Sequence, residues 1–151
     1  MDKGIYCLIL KNPECTFQVG ALGELAFQAG WHIYIGSALG SGGLCRLERH
    51  ISLARLRNKR PKWHVDYLLT NPEFTLVYAI SAGTKNRLEC HLAHALGGNS
   101  VPGFGCSDCR CTSHLVYRYC DPEEEILATF RSLQLVPVTK TIMSPRVEGY
   151  I

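Results

Sequence analysis

Residues 4–10, GIYCLIL, and residues 31–37, WHIYIGS, are the two stretches that decide the fold of this chain. Both are rich in isoleucine, tyrosine and other residues that favour extended backbone, so each predicts a β-strand. Gly4-Ile5-Tyr6 opens the first strand, and Tyr34-Ile35-Gly36 lies towards the end of the second. If the two strands pair, their tyrosines can meet on one sheet.

A helical pattern follows the second strand after the glycine-rich residues 40–43. Arg46 and His50 lie four residues apart on a face of this helix other than its apolar stripe. Two phenols beside a guanidinium suit in-line attack on a phosphate, because a phenol can handle a proton and a guanidinium stabilises the charge that develops on phosphorus. The apolar stripe consists of Leu44, Leu47, Ile51 and Ala54.

The composition is that of one globular domain. The chain has 151 residues, of which 46% are hydrophobic and 19% charged, and no apolar run reaches the length needed to span a bilayer. The sequence starts at Met1 without a signal peptide, so we expect a cytoplasmic protein. The eight cysteines are then expected to be reduced thiols or metal ligands rather than a disulfide framework.

Positive charge is concentrated in one segment. Seven of the sixteen Lys and Arg residues lie between Arg46 and Lys62, and Glu48 is the one acid among them. Such a segment attracts a polyanion, and nucleic acid is the commonest one in a cell. The alternative is a solvated helix face. The residues expected to contact nucleic acid are Ser37, Arg49, Arg55, Arg57, Lys59, Arg60 and Lys62.

The remaining elements follow from periodicity and from helix or turn signals. Glycines between residues 17 and 30 predict an extra hairpin between the two main strands. Asp121-Pro122 is a strong helix start. In chain order, the other expected elements are a short helix opened by Pro61 and carrying Trp63 and Tyr67, a strand over residues 74–82, a helix with the stripe Leu88, Leu92, Ala95 and Leu96, and a strand over residues 115–120.

The two tripeptides, the Arg46 to His50 spacing and Glu89 together resemble the GIY-YIG nuclease superfamily, over residues 4–97. The resemblance implies an α/β (α+β) domain with a small three-stranded antiparallel sheet flanked by helices, here with the extra hairpin and a strand-helix extension over residues 98–151. Residues 62–68 and 104–115 resemble an uncharacterised, largely archaeal branch whose members are sometimes fused to endonuclease III.

The resemblance also implies roles. Tyr6 would take the proton from the attacking water or orient it, Tyr34 would support the phosphate, and His50 would bind the phosphate or the base. Only about one free phenol in a thousand is ionised at neutral pH, so we expect Arg46 and a divalent cation to lower the pKa of Tyr6. Glu89 would hold one Mg²⁺ or Mn²⁺ ion.

Two positions depart from the pattern of the superfamily. Ser37 stands where many members carry a lysine. A downstream asparagine usually completes the site, and the candidates here are Asn99, Ser107 and Asp108.

A cysteine-rich segment offers a second kind of chemistry. Cys106, Cys109, Cys111 and His114 are soft ligands within nine residues, so zinc is one interpretation, with Cys90, His94 and Cys120 as candidates for a second group of ligands. The other interpretation is a loop of reduced thiols packed against the sheet.

The sequence therefore predicts a metal-dependent DNA endonuclease used in DNA repair or processing. One alternative is a nucleic-acid-binding module without turnover that positions a partner repair enzyme, such as a base-excision glycosylase. Another is a zinc or thiol-redox module built on residues 106–114. No membrane partner is expected.

Overall fold

The computed structural model describes residues 2–105 and 113–142, which form an α/β fold of the predicted class. The elements, in chain order, are β1 (Gly4–Asn12), β2 (Cys15–Gln18), a 3-10 turn (Gly20–Leu22), β3 (Glu24–Phe27), β4 (Gly30–Ala38), α1 (Cys45–Leu56), α2 (His64–Leu69), β5 (Thr75–Gly83), α3 (Glu89–Leu96), β6 (Leu115–Arg118), α4 (Glu123–Ser132) and β7 (Val138–Thr141).

The main sheet is antiparallel with the strand order β6-β4-β1-β5-β7. Its centre, β4-β1-β5, is the three-stranded sheet that the sequence predicts. The strands β6 and β7 extend it at the two edges, so the sheet has five strands rather than three. These two strands add to the core sheet, because they pair with β4 and β5, which would otherwise be exposed at its edges.

Helices cover both faces of the sheet, which explains why β1 is almost continuously apolar. Alternate side chains of a strand point to opposite faces. Ile5 and Ile9 pack in one buried layer with Leu92 of α3 and Ile126 of α4. Tyr6, Leu8 and Leu10 pack in the other layer, against apolar residues of α1 and α2 such as Leu47, Ile51, Val65 and Leu68.

The hairpin predicted before the second main strand is confirmed. The strands β2 and β3 form a separate two-stranded sheet, with Cys15 opposite Phe27. Phe27 is buried and packs edge-on against Phe74, at a centroid distance of 5.2 Å. This insertion accounts for the long separation between Tyr6 and Tyr34, since it forms its own small layer and leaves the pairing of β1 with β4 intact.

Two helices begin later than expected. The backbone amides of Lys62 and Trp63 both donate to Oδ2 of Asp66, so α2 starts at His64 instead of at Pro61. The helix α3 starts at Glu89, and its buried stripe includes Ala93 in place of the predicted Ala95.

Candidate functional site

Tyr6 and Tyr34 lie on the same face of the sheet, as predicted. Tyr6 is opposite Gly36 in the register of β1 with β4, and Tyr34 is opposite Leu8, two residues farther along. Residues two apart on a strand share a face, so both phenols point towards α1.

Steric contacts explain why glycine occupies positions 4 and 36 in the two tripeptides. A Cβ atom on Gly36 would lie 2.5 Å from Cζ of Tyr6 and 2.6 Å from its hydroxyl oxygen, far inside van der Waals contact. The Tyr6 ring therefore occupies the space that any side chain at position 36 would need. A Cβ on Gly4 would collide with the carbonyl oxygen of Ala82 on the neighbouring β5.

The His50 side chain binds the hydroxyl group of Tyr6. His50 projects from α1, is only 3% exposed, and has its Nε2 2.8 Å from the Tyr6 oxygen. Burial lowers the pKa of His50 to about 4, so the imidazole is neutral at physiological pH. With its hydrogen on Nδ1, this ring accepts the phenolic hydrogen at Nε2. The expectation that His50 lies on a face of α1 away from the core is therefore wrong.

The pKa of Tyr6 is raised above its usual range, although Arg46 acts on it in the expected direction. Burial is the largest cause and the neighbouring phenol of Tyr34 adds to it, while the positive charges of Arg46 and Arg49 act in the opposite direction. Tyr6 is only 1% exposed, so the loss of hydration disfavours its phenolate more than the nearby guanidinium groups favour it.

Arg46 lies at the edge of this cluster. Its Nη1 donates to the carbonyl oxygen of Ser37 at 3.0 Å, where β4 ends. Its Cζ is 5.1 Å from the ring centroid of Trp63, within the range of a cation–π contact. The helix thus places Arg46 beside Tyr6, and the strand end and Trp63 hold it there. Ser37 takes part through its backbone oxygen.

Glu89 is the first residue of α3 and carries an unusual carboxylate. Its Oε2 is buried and has no hydrogen-bond partner among the described residues. A buried carboxylate oxygen without a partner is energetically costly, and a bound cation relieves that cost. A carboxylate ligand suits a hard cation such as Mg²⁺ or Mn²⁺, which binds few protein oxygens and keeps several waters.

His114 lies between two groups of interest. The charge of Glu89 acts on the imidazole of His114, opposing the lowering of its pKa by burial. The Cβ of His114 and ring carbon Cε1 of Tyr34 lie 3.3 Å and 3.2 Å from the position that a Cβ on Gly105 would take, so His114 is near the Tyr34 ring.

Three of the predicted zinc ligands, Cys106, Cys109 and Cys111, lie outside the described residues. His114 lies inside, and its Nε2 is 3.7 Å from the sulfur of Cys90. Cys90 is disulfide-bonded, so the expectation of a reduced thiol is wrong at this position.

The other described candidate ligands do not join His114. Cys120 is exposed and its thiol is free, and His94 is exposed. Three further described cysteines, Cys7, Cys15 and Cys45, also have free thiols, but none of them is exposed. Within residues 2–105 and 113–142, no group of three or more His, Cys, Asp or Glu side chains is arranged to hold a metal ion. Asn99 is exposed, and its backbone carbonyl oxygen accepts a hydrogen bond from the backbone amide of Tyr117 in β6. Ser107 and Asp108 lie outside the described residues.

The basic segment divides into two surfaces. Arg49, Lys59, Arg60 and Lys62 line a groove of about 830 Å³ between α1 and α2, together with His50 and Trp63. We call this the basic groove. Arg55 and Arg57 instead line a separate cavity of about 330 Å³ with Leu10 and Phe74. The basic residues of this segment therefore do not all line one surface, because the turn of the helix sends Arg55 to another side.

Sequence reasoning missed the roles of Trp63, His64 and Asp66. Trp63 is 42% exposed and contacts His50 at a centroid distance of 6.2 Å. His64 Nδ1 accepts from the backbone amide of Gly105 at 2.8 Å. The signal was present, since residues 62–68 and 104–115 both resemble blocks of one branch, and His64 of the first block contacts Phe104 and Gly105 of the second.

A model of the domain family described as domain of unknown function DUF123 matches residues 5–135. No curated protein and no solved structure matches the chain. Among the helices of the described residues, none combines the length and the apolar character needed to cross a membrane.

Proposed function

This chain belongs to the DUF123 family, and we propose that it is a metal-dependent DNA endonuclease of the GIY-YIG type, acting in DNA repair or processing. The observation that carries this proposal is the hydrogen bond between Tyr6 and the neutral His50, beside Tyr34 and the guanidinium of Arg46. These groups can move a proton and stabilise negative charge in one place.

The pair Tyr6 and His50 removes the need for a free phenolate. As a water attacks phosphorus, its proton passes to the oxygen of Tyr6 while the phenolic hydrogen of Tyr6 passes to Nε2 of His50. The phenol ends neutral and the imidazole ends protonated, so the proton is accounted for. The low pKa of His50 keeps Nε2 available as an acceptor throughout the neutral pH range. His50 then releases its proton to solvent, and the leaving 3′ or 5′ oxygen takes up a proton from solvent, so the neutral imidazole is restored.

Charge on the phosphate is stabilised from two sides. Arg46 is held by Ser37 and Trp63 with its guanidinium next to Tyr6, where it can bind a phosphate oxygen. Tyr34 can donate its hydroxyl to another oxygen of the same phosphate. A divalent cation held by Glu89 would supply the remaining positive charge for the developing pentavalent phosphorus.

The test is cleavage of labelled linear, nicked, flapped and four-way DNA, with Mg²⁺ or Mn²⁺ against a chelator. We expect metal-dependent cutting that falls at least about 100-fold in Tyr6→Phe, the scale that general-base catalysis supplies. Tyr119→Phe is the matched control, because Tyr119 is an exposed tyrosine outside the site. Glu89→Ala should abolish cutting and leave DNA affinity within a few fold.

Two results would count against the proposal. Full activity of Tyr6→Phe would exclude the proton transfer through its hydroxyl. Tight, salt-sensitive binding of DNA without cutting under any metal condition would favour a binding module that positions a partner repair enzyme, such as a glycosylase.

A further inference from the structure

Trp63 is a large apolar side chain in a charged groove. The ring is 42% exposed, whereas Trp31, the other tryptophan, is buried. Around it, the basic groove carries Arg49, Lys59, Arg60 and Lys62, and its acids are otherwise engaged. Glu48 is paired with Lys140, and Asp66 accepts two backbone amides. The groove therefore presents cations and one aromatic ring.

The ring of Trp63 is held in place before any ligand arrives. Asp66 accepts the backbone amides of Lys62 at 2.8 Å and of Trp63 itself at 3.0 Å, which fixes the chain at this point. The guanidinium carbons of Arg46 and Arg49 lie 5.1 Å and 5.5 Å from the ring centroid. A preorganised aromatic ring loses little entropy on binding, so stacking on it adds affinity.

Trp63 is also adjacent to the catalytic cluster. It contacts His50, the partner of Tyr6, and it contacts Arg46, which lies beside the Tyr6 hydroxyl. A nucleotide stacked on Trp63 would therefore be next to the phosphate that the site attacks. Bases of intact duplex DNA are stacked on each other, so a ring inside a protein groove can stack only with a base that is unpaired or extruded.

We propose that Trp63 is a stacking platform for an unpaired nucleotide next to the scissile phosphate, with the basic groove holding the single-stranded DNA that continues from it. This inference rests on the proposed function and narrows its substrates to DNA with a single-stranded segment, such as flaps and branched junctions. Stacking supplies preference for unpaired bases, and Arg49, Lys59, Arg60 and Lys62 supply phosphate contacts that do not depend on sequence.

The experiment measures affinity for a labelled 12-nucleotide poly-dT strand and for a duplex of the same length, in chelator so that no cleavage occurs. Trp63→Ala should weaken single-strand binding roughly 5- to 100-fold, as expected for loss of one stacked base, and change duplex binding less than about twofold. Trp63→Phe should restore part of the affinity. Tyr119→Ala, at another exposed aromatic residue, should bind like the wild type.

A second readout is tryptophan emission. Poly-dT should quench the emission of the wild type, and the quenching should disappear in Trp63→Phe, which retains the buried Trp31. Equal loss of single-strand and duplex affinity in Trp63→Ala, or quenching that persists in Trp63→Phe, would overturn the inference. Failure of the proposed function would look different: the platform would behave as described, but no substrate would be cut with Mg²⁺ or Mn²⁺.

Discussion

At the scale of single residues, Gly36 shows how a backbone position leaves room for the ring of Tyr6, the side chain we propose as catalytic. The Tyr6 ring lies where a Cβ of residue 36 would be, with its hydroxyl oxygen only 2.6 Å from that position. Tyr6 is fully buried, so its ring has little room to withdraw. The glycine is therefore required by the position of the tyrosine rather than by an unusual backbone angle.

We expect Gly36→Ala to destabilise the protein by about 1–3 kcal/mol, the usual cost of overpacking a core, and to reduce cleavage by displacing the Tyr6 hydroxyl from His50. Urea denaturation and the cleavage assay measure the two effects. Gly40→Ala is the matched control, because a Cβ on Gly40 meets nothing within 4 Å. Equal stability and activity of the two variants would show that the ring moves aside without cost.

The residue identities of the site could be predicted from sequence, but their electrostatics could not. Tyr6, Tyr34, Arg46 and His50 are brought together as the tripeptides and the helical spacing indicate. Arg46 acts on the pKa of Tyr6 in the predicted direction, but the deep burial of the ring outweighs it and raises this pKa. The depth of burial depends on how α1 and α2 pack over the Tyr6 ring. This tertiary packing cannot be predicted from a local sequence pattern.

At the scale of elements, the helix α1 and the loop to α2 determine which cations act together. The sequence concentrates seven cations in one segment, and the helical turn and the cap at Asp66 collect four of them in the basic groove. Arg55 and Arg57 line the other cavity. Arg57 directly follows α1 and has a left-handed backbone conformation, with φ of 49°, which ends the helix. The position of that helix end, and hence of the groove, could not be predicted from charge alone.

The basic groove predicts a salt dependence. If its four cations each contact one phosphate, log affinity for DNA should fall with log salt at a slope of about −3 to −4. Replacing Lys59, Arg60 and Lys62 together by alanine should reduce the absolute value of this slope by about 2 to 3. For each phosphate contact that is lost, about one counterion fewer is released on binding.

Arg55→Ala is the matched control for that titration, because it removes a cation from the same segment but from outside the basic groove. Fluorescence anisotropy across a range of salt concentrations gives both slopes. If Arg55→Ala reduces the salt slope as much as a substitution in the basic groove does, the groove is not the DNA-binding surface.

At the scale of the whole molecule, the central strands and the inserted hairpin follow from the sequence, but the extent of the sheet does not. Edge strands are short: β6 and β7 have four residues each. Their pairing partners, β4 and β5, are distant in the chain, and only tertiary contact selects them. The same long-range packing buries three histidines, His32, His50 and His114.

These buried histidines predict loss of stability in acid. Burial lowers the pKa of His32 and of His50 to about 4, compared with about 6.5 in an unfolded chain. Between these values the unfolded state binds more protons than the folded state, so the free energy of unfolding decreases as pH falls. The stabilisation is complete above about pH 6.5 and is lost on approaching pH 4, at a cost of about 3 kcal/mol for each histidine.

Denaturant unfolding measured from pH 7 to pH 4 tests this prediction. His32→Gln and His50→Gln should each flatten the pH dependence, although each also removes a hydrogen bond, His32 to Asn12 and His50 to Tyr6. His91→Gln should keep the slope of the wild type, because that side chain is exposed. A wild-type free energy of unfolding that stays constant down to pH 5 would mean that water reaches these rings, and His50 would then be protonated in mild acid and unable to accept the hydrogen of Tyr6.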